Sequence, residues 1–175
     1  DPQAEDVLVA CAEHRIPAAR RAVAEALPRI FTEDDGLALV LLDRLLDGED
    51  ESTVSMAATF VGLLARLAPE EFSPRAILII DSGNQRALHR IVESGFRDYL
   101  GAQSSDPSEL LPSAWIKSSE IGRSRLANLI VEQYRVAPEA FLQTCHMIQS
   151  VEESAYVELI RMVRMRSEEA ASEMP

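Results

Sequence analysis

Three histidines, His14, His89 and His146, and two cysteines, Cys11 and Cys145, are the residues of this chain whose types could support nucleophilic or metal chemistry. Their spacing supports neither. No HExxH or HxH pattern occurs, and no paired acid stands at ligand spacing. Cys145 and His146 are adjacent, so on a helix they point to different faces and make a poor nucleophile–base pair. The cysteines lie far apart with no metal-type spacing, which fits a reduced, intracellular (cytoplasmic) protein. No catalytic residue, metal site or cofactor is expected.

The run Asp47-Gly48-Glu49-Asp50-Glu51 resembles a calcium loop only in acidity. An EF-hand needs acids at alternating positions before its glycine and a glutamate at the twelfth, and both are missing. A solvated turn with helix-capping acids accounts for it, and Glu49, Asp50 and Glu51 are candidates for partner contact. GNQR at Gly83 and GRSR at Gly122 lack phosphate-loop spacing. Arg123 and Arg125, with Lys117 just before them, form the one locally basic patch, where a helix start could hold a carboxylate or phosphate. Trp115 lies close by in sequence, and Trp and Arg are enriched at interface hot spots. These four are further partner-binding candidates, against a plain reading of surface salt bridges and a core tryptophan. Met162, Val163 and Met165, interleaved with Arg161, Arg164 and Arg166, fit a partner-binding face or core packing with a basic helix end.

These residues need elements to hold them, and composition says which. Leu, Ala, Ile and Val supply the apolar mass, aromatics are 5%, and only 7 glycines occur, a mix that favours helices over sheets. Sixteen of the 17 basic residues are arginine, and Lys117 is the one lysine. The net charge of −12 opposes non-specific binding to nucleic acid and to an anionic membrane surface. The acid is uneven: residues 1–58 hold 13 acids and 5 bases, a net −8. No stretch of eighteen apolar residues is present. The chain opens at Asp1-Pro2 without an initiator methionine, as a processed form or an excised part would.

Helical periodicity runs nearly throughout. Helices are expected over 3–14, 17–31, from a Thr32 cap to a stop at Gly48, and from a cap at Asp50 or Ser52 with a stripe of Val54, Ala57, Ala58, Val61, Leu64 and Leu67. Ser73-Pro74 should open a short helix over 75–82 that Gly83 breaks. AILII, residues 76–80, could be a buried strand, but no second clear strand is there to pair with it, so it reads as helix. Asn84 should start a helix carrying Leu88, Ile91, Val92, Phe96 and Tyr99. Residues 101–107 read as a loop, followed by helices over about 108–117, 119–134, 138–149 and 151–170.

The second helix of each pair is expected near residues 17, 51, 84, 119 and 151, a period of 32 to 35 residues. Such a period marks stacked helix pairs, because a two-helix unit cannot bury its apolar face alone. PAARRAVAEALPRI, from Pro17 to Ile30, resembles the second helix of a HEAT repeat. Pro17, Ala19, Arg20, Ala22, Ala24, Ala26, Leu27 and Ile30 match, and Pro28 stands where Gly is usual. In DESTVSMAATFVGLLA, residues 50–65, Asp50, Val54, Ala57 and Ala58 fit and Ser55 replaces the arginine. The match covers roughly residues 15–67 and is architectural beyond. The resemblance, to the HEAT/armadillo-like α-solenoid family, implies one all-α domain over 1–175: a right-handed α-α superhelix of about five antiparallel pairs (3–31, 32–67, 69–100, 107–134, 137–170). It also implies that Arg20 ties neighbouring helices together.

Three functions follow as expectations. The first is a non-enzymatic interaction scaffold whose second helices form a concave, acidic face for a protein with a basic segment. The second is a regulatory or immunity-type inhibitory subunit masking a basic enzyme. The third is an enzyme, since HEAT-like folds include DNA glycosylases and bilin lyases; a glycosylase needs a basic groove and aromatic wedges, and this chain offers net −12 and one Trp.

Overall fold

The structure, a computed structural model, describes residues 2–101 and 110–172, and every element among them is a helix. They are α1 (Pro2–Ala12), α2 (Pro17–Glu33), α3 (Asp35–Leu46), α4 (Glu51–Leu67), α5 (Pro69–Ser82), α6 (Gln85–Ser94), α7 (Phe96–Gly101), α8 (Leu110–Lys117), α9 (Glu120–Val136), α10 (Pro138–Gln149) and α11 (Glu153–Ser172). The loop expected over 101–107 lies almost wholly outside the described residues. No helix among those described is long and apolar enough to cross a membrane.

The chain divides into two compact units, Asp1–Asp98 and Tyr99–Pro175, and the division falls inside α7. In the first unit α1, α3 and α5 pack in one layer and α2, α4 and α6 in another. In the second unit α8 packs on α10 and α9 on α11, again in two layers. The second helix of each pair begins at 17, 51, 85, 120 and 153.

Local chemistry sets most boundaries. Pro17, Pro69 and Pro138 take first-turn positions, where a missing N–H costs nothing. The Asp50 carboxylate, not Ser52, accepts from the backbone N–H of Thr53 at 3.0 Å and caps α4. Asn84 caps α6 through Arg86 and Ala87, and Ser119 caps α9 through Gly122. Gly83 closes α5 at φ 70, the left-handed geometry that glycine adopts without cost. AILII is helical, inside α5.

Four expectations change. Thr32 lies within α2, its hydroxyl donating to the Pro28 carbonyl at 3.0 Å, and Asp34 caps α3 by accepting from Leu37 at 2.8 Å. A carboxylate two residues on outcompetes the hydroxyl, and Thr32 instead bonds back to the carbonyl one turn earlier in its own helix. Next, α5 starts at Pro69 rather than 75, because Pro69 supplies the first-turn residue and Pro74 is tolerated inside. Leu67 is half exposed rather than in the stripe; at about 100° per residue it points away from Val54. Lastly, the helix expected from Asn84 through Tyr99 breaks at Gly95 into α6 and α7.

That break has a packing cause. Nine residues of α4 are buried, and among them Gly62 faces Gly95. A Cβ on Gly62 would fall 1.8 Å from Ser94 Oγ and 3.2 Å from the Gly95 nitrogen; one on Gly95 would fall 2.9 Å from Gly62 Cα and 2.7 Å from Phe72 Cε2. The two backbones touch, and no side chain fits between them. Arg75, 8% exposed, ties the other layer. Its guanidinium donates to both Asp43 carboxylate oxygens, at 2.7 and 2.9 Å, and to the Glu71 carbonyl and carboxylate. These bonds raise its pKa against the opposing effect of burial, which is the largest single influence.

Gly62→Val should therefore destabilise the protein by roughly 2 kcal/mol or more, since overpacking costs about 1–3 and here the obstacle includes backbone. Gly36→Ala, whose new methyl meets only the Asp34 carboxylate at an ordinary 3.5 Å, should leave stability unchanged or slightly raised. Urea unfolding of the two variants beside the parent chain checks both.

Candidate functional site

A concave feature that could seat a ligand lies in the first unit, on the layer of second helices. It is a groove of about 430 Å³ lined by Ala24, Glu25 and Pro28 of α2, by Met56, Thr59, Phe60, Leu63 and Arg66 of α4, and by Ser94 and Asp98. Phe60 is its floor. That ring is 2% exposed and meets Phe31 edge-to-face at 5.6 Å, which braces α4 against α2. Met56 and Leu63 are half-buried and sit on the side of α4 opposite the Val54–Leu64 stripe. Ser94 Oγ donates to the Arg90 carbonyl at 2.6 Å. The charged lining is two carboxylates, Glu25 and Asp98, and one guanidinium, Arg66.

The acidic candidates lie at the turn between α3 and α4. Glu49 and Glu51 are exposed and Asp50 is half-buried. The hydrogen bond from the Thr53 hydroxyl holds the Asp50 carboxyl below its ordinary 3.8, helped by the Thr53 backbone N–H and by Arg20 and Arg21, against the effect of burial. Arg20 donates to the His14 carbonyl at 2.8 Å and stands 3.9 Å from Asp50. It thus links the α1–α2 turn to the cap of α4. Asp50 is part of the frame, and Glu49 and Glu51 are the members of this trio that face water.

The basic candidates separate in the same way. Trp115 is buried, and its indole Nε1–H donates to Glu152 Oε2 at 2.6 Å. Arg123 donates to the same oxygen at 3.3 Å and to the carbonyls of Trp115 and Ile116 at 3.1 and 3.4 Å. The anion at this helix start is the chain's own Glu152, which joins α8 and α9 to the turn before α11. Lys117 is exposed and Arg125 half-buried, and each already has an interaction of its own. On α11, Val157, Ile160 and Met165 are exposed, whereas Met162 and Val163 are half-buried; the Arg166 side chain lies outside what the structure describes.

Burial pushes the Cys145 thiol up to about 12, so it stays protonated, and His146 is instead stacked on Tyr156 with ring centroids 5.7 Å apart. Among the described residues no group of three or more His, Cys, Asp or Glu side chains is arranged to hold a metal ion.

Sequence reasoning missed the groove residues and Arg75. Both left a signal. Met56 and Leu63 are apolar residues off the stripe of their helix, and Arg75 is a charge on one, among Phe72, Ala76 and Ile79.

Two outcomes test these assignments. Glu152→Ala leaves the Trp115 N–H and the Arg123 guanidinium without their carboxylate. It should cost about 1–3 kcal/mol and shift the emission of the one tryptophan to longer wavelength, read by fluorescence during urea unfolding. Asp50 has a lowered folded-state pKa, so its contribution is complete above the unfolded value near 3.8 and is lost as pH falls through the folded value below it. The stability difference between parent and Asp50→Asn should accordingly be present at pH 6 and shrink toward pH 3. No protein-family model matches this chain, nor does any curated protein or any solved structure.

Proposed function

We propose that this chain is a non-enzymatic protein–protein interaction scaffold of the HEAT/armadillo-like α-solenoid kind, its helix pairs stacked so that the second helices form the partner-binding face. The carrying observation is the groove over Phe60, which lies on that layer of helices and is apolar at its floor with carboxylates at its edge. The layering inside each unit and the spacing of the second helices support the stacked arrangement. So does the Arg20 link between α2 and the cap of α4.

The partner on this reading is another protein with a basic segment, and neither nucleic acid nor a membrane surface. The first unit holds 18 acids against 10 bases, a net −8, so a cationic segment is drawn in at long range. Screening limits that attraction to about 8 Å at physiological ionic strength and about 3 Å at 1 M.

Immobilised protein should retain a small set of proteins with basic segments from an extract of its own cells at low salt and release most of them near 1 M salt. Identification by mass spectrometry reads this directly. Retention of acidic proteins, or of nothing beyond what blank beads hold, defeats the reading.

A further inference from the structure

We infer that the groove seats one amphipathic helix of the partner, with its apolar stripe over Met56, Phe60 and Leu63 and arginine or lysine at its flank against Glu25 and Asp98. The inference rests on the scaffold reading above and specifies what the scaffold holds.

Three properties of the groove select that occupant. The first is backbone chemistry. The long walls of the groove are helices, whose amides and carbonyls are bonded within each helix, apart from the Ala24 carbonyl that Pro28 leaves without its usual donor. An extended segment laid there would find no strand edge, and its own N–H and C=O groups would be desolvated over apolar side chains without partners. A helix brings those groups already satisfied.

The second is the shape of the exposed strip on α4. Ser52, Ser55, Met56, Thr59 and Leu63 follow one another along one side of the helix, all uncharged and all at least partly open, before Arg66 ends the run. Ser52 to Leu63 spans about 17 Å at 1.5 Å per residue, the length of three helical turns. A guest whose apolar residues at i, i+3, i+4 and i+7 continue to i+11 covers that distance. Small Ser and Thr side chains beside the larger Met56 and Leu63 leave room for its apolar side chains to enter.

The third is charge. Two carboxylates face one guanidinium in the lining, inside a unit of net −8. A guest with basic flanks gains at both ranges, and one with acidic flanks is opposed at both.

The test uses the full chain and three fluorescein-labelled synthetic peptides of about 18 residues, long enough to form a stable helix when docked. One carries leucine on one face and arginine on the other. The second replaces arginine with glutamate. The third keeps the composition of the first but has a proline at its centre. Fluorescence anisotropy should show the arginine helix binding at least about tenfold more tightly than the other two, a difference of about 1.4 kcal/mol. It should become helical on binding by circular dichroism.

Thr59 is exposed on the groove, so Thr59→Trp fills it without touching the core. That variant should bind the arginine helix about tenfold more weakly with an unchanged melting temperature. Thr59→Lys, which opposes the guest by charge, should do the same. Equal binding of the helical and proline-broken arginine peptides, untouched by either variant, overturns the groove inference while leaving a charge-driven scaffold intact. Failure of all three peptides to bind also overturns it, and the extract experiment then decides the scaffold reading separately.

Discussion

The contact between Gly62 and Gly95 governs how the first unit is put together. Where two helices meet through side chains their axes stand about 8–10 Å apart. Here a Cβ on either glycine would collide with the opposite segment, so at this point α4 and the end of α6 meet backbone to backbone, with no room for side chains between them. The approach fixes the α4–α6 layer, and the groove inherits it. Phe60 and Leu63 flank Gly62 in sequence, and Ser94 and Asp98 flank Gly95. Two edges of the candidate site therefore descend from one point of backbone contact. The break at Gly95 belongs to the same constraint, since α7 restarts there with Phe96 packed edge-to-face on Phe72 at 6.0 Å.

Arginine does the complementary work. Arg20, Arg75 and Arg123 each reach a backbone carbonyl and a carboxylate on another part of the chain. A planar fork with five donors can serve both acceptors at once, which an ammonium point charge does less well. The carbonyls of His14, in the α1–α2 turn, and of Trp115, in the last turn of α8, lie where backbone acceptors lack partners in a helix; that of Glu71 lies in the first turn of α5 and takes the Arg75 guanidinium as an added donor. The near-absence of lysine thus has a structural reading in at least these three positions.

The helices were largely legible in the sequence because their signals are local. Proline at a first turn, aspartate or asparagine at a cap, and glycine at a left-handed stop act through neighbours a few residues away. Pro17, Asp50, Asn84 and Gly83 all carry such signals. What stayed illegible depends on distant partners. Gly95 looks like any glycine until Gly62 is laid against it, 33 positions earlier in the sequence. Trp115 and Arg123 look like a free anion site until Glu152 arrives from beyond α10. The groove is of this second kind, because a hollow belongs to no single helix and periodicity describes helices one at a time.

On the proposed scaffold reading, charge and groove divide the labour of recognition between them. Part of the acid in the first unit is committed to folding: Asp34 and Asp50 cap helices, and Asp43 and Glu71 hold Arg75. A carboxylate bonded in this way still contributes to the distant field, because its hydrogen bonds are short-ranged and its charge is not. It offers an incoming side chain less, since part of its acceptor capacity is already used. Attraction is thus spread over the whole unit and cannot discriminate one basic segment from another. On that reading, selection falls to the few carboxylates that are exposed and next to an apolar hollow, as Glu25 and Asp98 are. Capping and recognition draw on the same residue type without competing, because the acids that hold the helices are not the acids that face the groove.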